Sequence, residues 1–201
     1  MAAPTILRHR TEPSAYDGAC LTFEEFLTLP PERPELEYFG GRAVQKAMAG
    51  LTQGDLQAAI TALVWNFATA VGGHVSTEVD TDFFFPDGRA VRIPDVAYWA
   101  PGKPRRSTTR LALPPTLAVE IRSPGETIES QRRKCRAMRG AGVDVCWLFL
   151  PRLQAVEVFD SAHDGVAFVG ETLTSEFLPG LALDLPALWA IMTSIEDEPE
   201  S

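Results

Sequence analysis

The stretch Val91–Ser123, VRIPDVAYWAPGKPRRSTTRLALPPTLAVEIRS, decides the fold that we predict for this chain. Within it, Val91–Ala100 and Thr116–Ile121 are short apolar runs, rich in β-branched and aromatic residues and bounded by proline and glycine, which predicts two buried strands. Each run contains one acidic residue, Asp95 or Glu120. An ionised carboxylate is costly to bury unless a cation or hydrogen-bond donors compensate its charge. Two such residues on neighbouring strands therefore suggest a shared cation.

The composition is that of an ordinary soluble globular protein, with 45% hydrophobic and 22% charged residues in a chain of 201. We expect a flexible N-terminal arm over residues 1–19, a single domain over 20–192 and an acidic tail over 193–201. No apolar run approaches the roughly 20 residues that span a bilayer, and no signal-peptide pattern begins the chain, so we expect a cytoplasmic protein without a membrane partner. Three cysteines without CxxC spacing predict neither a disulfide framework nor a zinc site.

Charge is distributed unevenly along the chain, whose net charge is -9. The segment Arg89–Arg139 contains 12 of the 18 basic residues and only four acidic ones, so its net charge is +8 and that of the remainder is -17. This distribution is expected if a phosphate-bearing ligand binds near the two strands. The alternative is a solvated helix face and a solvated loop, because basic clusters are weak motifs.

Periodicity, capping residues and turn dipeptides predict the other elements of the fold. In chain order they are a helix Thr22–Leu29, a hairpin of Glu35–Phe39 and Arg42–Met48 around Gly40-Gly41, a helix from its cap Thr52 to Val71, a strand Val75–Phe85 that turns at 86–88 into the Asp95 strand, a helix Glu126–Ala141, a strand Val143–Leu150, a hairpin of Ala155–Phe159 and Val166–Gly170, and a short helix from Asp184. A helix between two strands makes a crossover, so Thr116–Ile121 and Val143–Leu150 should be parallel. The predicted fold class is α/β, a mixed central sheet flanked by helices.

The residues around Asp95 and Glu120 are similar to a nuclease signature. Alternation along the strand places Glu120 and Arg122 on the same face. With Pro94 and Asp95 upstream, the pattern is PD…E-I-R, which is close to the PD-(D/E)XK signature of restriction-endonuclease-like nucleases. An arginine stands at the position of the lysine in that signature.

Much of the chain, Leu21–Trp189, resembles the Uma-two family of PD-(D/E)XK restriction-endonuclease-like endonucleases. The features of that family occur here in the same order. They are EYFGGR at Glu37–Arg42, PDV at Pro94–Val96, VEIRSP at Val119–Pro124, Lys134 in a helix, GVDVCWLFLP at Gly142–Pro151 and LPGLALDL at Leu178–Leu185. The resemblance implies a restriction-endonuclease-like core and a metal-dependent endonuclease that hydrolyses phosphodiester bonds in DNA, with RNA not excluded.

The resemblance also assigns roles to individual residues. Asp95 and Glu120 would hold Mg²⁺ or Mn²⁺, hard ions that prefer carboxylate oxygen. Lys134 would orient or deprotonate the attacking water. Glu37 matches the first acid of the family and would supply a third carboxylate or bind a metal-bound water.

Three arginines are candidate ligands of the substrate phosphate, namely Arg122, Arg92 and Arg133. An arginine side chain stays charged and cannot serve as a base, but it can bind a phosphate through two parallel hydrogen bonds. Cutting a duplex requires two active sites, which a symmetric homodimer would provide.

Structural explanations compete with these roles. Glu37 would be an exposed strand residue, and Lys134 would be a solvated cation on a basic helix. Asp95 and Glu120 would be satisfied by backbone donors or by nearby arginines.

The chain also departs from the family pattern at positions near the proposed site. Gly40 and Arg42 replace acids of the hairpin, Gln53 replaces a histidine, and Ser130 and Met138 replace an aspartate and a tyrosine. Because each change replaces an acid, a histidine or a tyrosine of the family pattern, a second hypothesis is a catalytically impaired nucleic-acid-binding or protein-interaction module on the same fold.

Overall fold

The computed structural model describes residues 14–86, 88–106 and 111–196. The helices and strands, in chain order, are α1 (Phe23–Leu27), β1 (Leu36–Phe39), β2 (Arg42–Gln45), α2 (Leu51–Val71), β3 (His74–Thr77), β4 (Thr81–Phe85), β5 (Gly88–Arg92), β6 (Val96–Trp99), β7 (Leu117–Ile121), α3 (Ile128–Gly140), β8 (Val145–Leu150), β9 (Ala155–Phe159), β10 (Asp164–Phe168), β11 (Thr172–Thr174), β12 (Ala182–Asp184) and α4 (Leu185–Glu196).

A six-stranded mixed sheet is the centre of the fold. Its strand order is β10-β9-β8-β7-β6-β3, and only β7 and β8 are parallel among its neighbouring strands. The predicted crossover through α3 and the mixed α/β class are therefore confirmed. A second sheet has the order β2-β1-β5-β4, and β11 pairs with β12.

Alternate residues of the central strands face different helices. Val119 of β7 is buried in one core cluster with Leu56 of α2. Ala118 is buried in another cluster with Met138 of α3. Since side chains alternate along a strand, Glu120 lies on the same face as Ala118 and is directed toward α3.

The prediction of one continuous strand over Val91–Ala100 is wrong. β5 belongs to the four-stranded sheet and β6 to the six-stranded sheet, so residues 93–95 link the two sheets. Pro94 explains the break, because proline has no N–H to donate to a strand ladder. Asp95 therefore lies between the two sheets, just before β6.

The strand predicted over Val75–Phe85 is also divided, into β3 and β4. Glu78, directly after β3, has a φ angle of 51°, a left-handed conformation that few residues other than glycine adopt. β4 then pairs with β5 in an antiparallel hairpin. Asp87, at the centre of the turn predicted between them, lies outside the described residues.

Most predicted helix and turn boundaries are confirmed. Thr22 forms a capping box with Glu25, and Gly72, with a φ angle of 90°, ends α2. Positive φ angles of 59° and 75° at Gly40-Gly41 form the tight hairpin turn. Thr52 is not the cap of α2, because the helix already begins at Leu51, after the extended backbone of Gly50.

The part of the expected N-terminal arm that the structure describes, residues 14–19, is bonded to β2. Gly18 N donates to Ala43 O at 2.9 Å, and Ala43 N donates to Ala19 O at 3.0 Å. These residues are therefore tied to the domain, whereas residues 1–13 lie outside the described part. Residues 193–196 of the expected tail continue α4, and 197–201 lie outside. None of the described helices has the length and apolarity needed to cross a bilayer.

Candidate active site

Three buried carboxylates lie where the two sheets meet. Glu37 comes from β1 of the four-stranded sheet, Asp95 from the link between the sheets and Glu120 from β7. Their exposed fractions are 5%, 1% and 3%. The predicted burial of Asp95 and Glu120 is confirmed, and the alternative of an exposed Glu37 is wrong.

Lys134 joins two of these carboxylates. Its Nζ lies 2.7 Å from Glu37 Oε1 and 2.8 Å from Glu120 Oε2. Its side chain is only 8% exposed, because α3 packs this face of the helix, with Cys135 and Met138, against the sheet. The alternative of a solvated lysine is therefore wrong. Burial opposes the charge of Lys134, but attraction to Glu120 and Glu37 outweighs it and raises the lysine's pKa, so the side chain remains an ammonium ion.

Glu37 is held by cations and by the backbone. Its Oε2 accepts a hydrogen bond from Arg92 at 2.8 Å, and its Oε1 accepts one from Ile93 N at 2.9 Å. Burial alone would raise the pKa of Glu37, but Lys134 and Arg92 overcome this effect and lower it to about 2. The structure thus places Arg92, predicted as a phosphate ligand, as the partner of Glu37, with its guanidinium stacked on Phe39 at 4.3 Å.

Asp95 is held by Lys46, which the sequence analysis did not identify. Lys46 Nζ lies 2.7 Å from Asp95 Oδ1 and 2.6 Å from Glu78 Oε2. The other oxygen, Oδ2, accepts a hydrogen bond from Ile121 N at 2.6 Å. A backbone donor therefore hydrogen-bonds Asp95, as the structural alternative requires. The cation that pairs with Asp95, however, is a lysine and not an arginine.

The hairpin register was a signal that could have identified Lys46. With Gly40-Gly41 as a two-residue turn, Glu37 pairs with Val44, and Leu36 pairs with Gln45. The next pair is Glu35 and Lys46, whose N donates to Glu35 O at 2.8 Å. Since directly opposite residues share a face, Lys46 lies on the face of the hairpin that carries Glu37.

Glu120 is the least compensated of the three carboxylates. Its Oε1 atom is buried and has no hydrogen-bond partner among the residues that the structure describes. Burial, together with repulsion by Asp95 and Glu37, outweighs the attraction of Lys134 and raises the pKa of Glu120 to about 8. Burial and repulsion therefore favour the protonated form of this carboxyl, and a further bound cation would favour the ionised form.

Asp95 and Glu120 offer the kind of oxygen donor that a small divalent cation prefers. Within the described ranges, no group of three or more His, Cys, Asp or Glu side chains is arranged to hold a metal ion. The two carboxylates nevertheless offer hard oxygen donors, and Glu120 Oε1 is a free acceptor. Mg²⁺ in particular is often bound through one or two carboxylates and several waters.

The three buried carboxylates Glu37, Asp95 and Glu120, with Lys46 and Lys134, form what we call the carboxylate cluster. The other two predicted arginines lie outside it. Arg122 Nε donates to Glu126 O at 2.9 Å, and the residue lines a cavity of about 530 Å³ together with Arg152 and Gln53. Arg133 is exposed on α3, and no ion pair found among the described residues connects it to the cluster. Arg122 is thus a candidate phosphate ligand that borders a cavity.

A solved structure shares the architecture of this chain. It is described as a "putative nuclease belonging to DUF820" from Anabaena variabilis, and it matches with a TM-score of 0.74 at 21% sequence identity. The match covers 86% of this chain and 99% of the other. No curated protein matches the sequence.

A family model matches most of the sequence. It is the model of the Uma2, or Uma-two, family, described as "Putative restriction endonuclease", and the match covers residues 23–186. This range includes both sheets and all the residues of the carboxylate cluster. The chain therefore belongs to the Uma2 family and has a restriction-endonuclease-like fold.

Proposed function

We propose that this protein is a metal-dependent endonuclease that hydrolyses phosphodiester bonds in DNA. The observation that carries the proposal is the buried Glu120, which Lys134 compensates only in part. Its Oε1 has no hydrogen-bond partner among the described residues and its pKa is raised, which supports a place for one more cation. Membership of the Uma2 family supports nuclease activity of this site. Asp95, from the PDV motif, is the second carboxylate of the proposed pair.

Asp95 and Glu120 would hold Mg²⁺ or Mn²⁺. Such an ion lowers the pKa of a bound water and neutralises negative charge on the phosphodiester. The ion would also compensate Glu120, so that this carboxyl would lose its proton.

The remaining side chains have positioning and binding roles in this proposal. Lys134 and Glu37 fix Glu120 through the ion pairs of 2.7 and 2.8 Å. Because Lys134 remains an ammonium ion, it would position and donate hydrogen bonds instead of abstracting a proton from water. Arg122 would bind phosphate from the neighbouring cavity.

Two measurements test the function. Mg²⁺ or Mn²⁺ should raise the thermal midpoint of the unmodified protein and not that of Asp95→Ala, because the variant lacks one of the two proposed ligands. Nicking of supercoiled plasmid in the presence of either ion should disappear in Glu120→Ala. Unchanged nicking in Glu120→Ala would contradict the assignment.

A binding module with little or no catalysis is the second candidate function. Two lysine side chains already neutralise charge within the cluster, Lys46 at Asp95 and Lys134 at Glu37 and Glu120. If these cations exclude the metal, the fold would bind nucleic acid or a protein partner without cutting. DNA binding without metal-dependent nicking in the unmodified protein would favour this candidate.

A further inference from the structure

Lys46 and Lys134 both bind carboxylates of the cluster, but their surroundings differ. Lys134 has two buried partners, Glu37 and Glu120, and lies on the buried face of α3. Lys46 has one buried partner, Asp95, and one partially exposed partner, Glu78, whose side chain is 32% exposed. Lys46 thus connects the buried cluster to the surface of the protein.

A cavity opens beside Lys46. Its volume is about 330 Å³, and Lys46, Arg33, Gln53 and Glu78 contribute to its lining. Lys134 lines neither this cavity nor the larger one beside Arg122. A ligand in this cavity would therefore contact Lys46 and not Lys134.

Gln53 borders both this cavity and the larger one that contains Arg122 and Arg152. It is 6% exposed, and its Oε1 accepts a hydrogen bond from Ser123 Oγ, next to Arg122 in the chain. Cationic side chains line both cavities. Such an arrangement can bind successive phosphates of a nucleic-acid backbone.

The hydrogen bonds of Lys46 leave capacity for a ligand. An ammonium group has three N–H donors, and Asp95 and Glu78 account for two of them. Gln57 supports this arrangement, because its Nε2 donates to Glu78 Oε1 at 3.0 Å and to Asp95 O at 2.9 Å. The left-handed backbone of Glu78, an unfavourable conformation of a kind that is common at functional sites, is part of the same network.

We propose that Lys46, and not Lys134, is the lysine that contacts the phosphate at which the DNA strand is cut. Lys134 is then a positioning residue for Glu37 and Glu120. This inference rests on the proposed endonuclease function, and it adds a catalytic residue to the site. The substrate backbone would enter through the cavity of about 330 Å³ and pass Gln53 toward Arg122.

The test measures how the affinity for a short DNA duplex depends on salt. Binding is measured with Mg²⁺ in Glu120→Gln, a parent variant in which cleavage should be abolished, and then in the same variant carrying Lys46→Gln, Lys46→Arg or Lys134→Gln. Loss of one phosphate contact lowers the slope of log K against log salt concentration by about 0.9 on duplex DNA. We expect this reduction with Lys46→Gln, but an unchanged slope with Lys46→Arg and with Lys134→Gln.

Lys103→Gln is the matched control. Lys103 is also a lysine paired with an aspartate, but it follows β6, and its partner Asp144 directly precedes β8, at the opposite end of the central strands from Glu120. Its replacement should leave both the salt slope and plasmid nicking unchanged. Circular dichroism and thermal midpoints establish that each variant is folded. If Lys46→Gln does not fold, Lys46→Arg against Lys134→Gln still tests the inference, since a reduced slope with Lys134→Gln alone would overturn it.

The outcomes separate this inference from the proposed function. If the unmodified protein neither binds nor cuts DNA, the proposed function is contradicted. If the unmodified protein cuts DNA while Lys46→Gln retains the full salt slope, only the role of Lys46 is overturned.

Discussion

Glu120 is the residue in which burial and charge conflict most directly. Its pKa is raised from 4.5 to about 8, so between these pH values the folded protein keeps a proton that the unfolded chain has lost. Stability should therefore fall as pH rises through this window, by at most about 1.4 kcal/mol per pH unit from this group. In EDTA, Glu120→Gln should remove this fall, and its thermal midpoint should exceed that of the unmodified protein at pH 8. Equal midpoints of the two proteins from pH 5 to pH 8 would contradict the raised pKa.

Glu37 has the opposite dependence on pH. Its pKa is lowered from 4.5 to about 2, so its stabilising effect is complete above pH 4.5 and is lost as pH falls toward 2. Glu37→Gln removes the buried carboxylate partner of Arg92 and leaves Lys134 with Glu120 alone. It should lower the free energy of unfolding at pH 7 by about 3–5 kcal/mol.

Urea denaturation measures the effect of Glu37→Gln, and Glu129→Gln is its control. Glu129 has a side chain that is 59% exposed and lies 3.9 Å from Arg132. Its replacement should change stability by less than about 1 kcal/mol. If Glu37→Gln lowered the free energy of unfolding as little as Glu129→Gln does, the buried ion pairs of Glu37 would contribute little to stability.

Individual residues differ in how far the sequence predicts them. Asp95 and Glu120 were predictable because carboxylates are rare in apolar runs bounded by proline. The hairpin register places Lys46 on the face that carries Glu37, but the pairing of Lys46 with Asp95 depends on how the two sheets meet and not on nearby sequence. For the same reason Arg92 was assigned to phosphate, although its partner, Glu37, is 55 residues away in the chain.

At the scale of the elements, one glycine near each end of α2 can be compared, and replacement by alanine should have opposite effects on stability at the two positions. Gly54 lies within the helix, and a Cβ atom there would have no neighbour within 4 Å. Gly73 follows the helix with a φ angle of 103°, and a Cβ atom there would lie 2.4 Å from Trp99 O. Gly54→Ala should therefore stabilise the protein by about 0.5–1 kcal/mol.

Gly73→Ala should destabilise the protein, because both the backbone angle and the contact with Trp99 O exclude a side chain. The two glycine variants are compared by their denaturation midpoints at constant m-value. If Gly73→Ala were as stable as the unmodified protein, Trp99 O of β6 could not lie as close to Gly73 as the structure places it.

The elements that the sequence predicted well are those defined by local signals. The hairpin follows from Gly40-Gly41, the parallel pair of β7 and β8 follows from the crossover, and α1 follows from its capping box. The divided strands were not predicted, since apolar composition continues through the link 93–95 although the chain passes between sheets there. The left-handed Glu78 has no local signal either, because Lys46 and Gln57 bind its side chain from distant elements.

At the scale of the whole molecule, the uneven charge distribution has an internal explanation in addition to the proposed ligand. Acids outside the basic segment Arg89–Arg139 pair with its cations. Arg132 pairs with Glu157, Arg136 with Asp164, Lys103 with Asp144 and Arg89 with Asp82. The clustering of basic residues therefore reflects ion pairs within the folded chain at least as much as the proposed contacts with phosphate.

The proposed endonuclease would need two active sites to cut both strands of a duplex at one place, so we expect a homodimer. Size-exclusion chromatography with light scattering should give about twice the chain mass of 22.0 kDa. With two sites acting together, nicked circles should be only a short-lived intermediate that is converted to linear plasmid. A monomer that accumulates nicked circles would contradict the dimer and would leave the metal-dependent chemistry intact.

The link 93–95 between the sheets has a consequence for the cooperativity of the molecule. Glu37 belongs to the four-stranded sheet and Glu120 to the six-stranded sheet, so any local opening that separates the sheets also dismantles the cluster. A ligand that binds only the assembled cluster suppresses that opening in proportion to its own binding. Amide hydrogens of β1 and β5 would then exchange with solvent more slowly when the site is filled, which makes the small sheet a reporter of events in the large one.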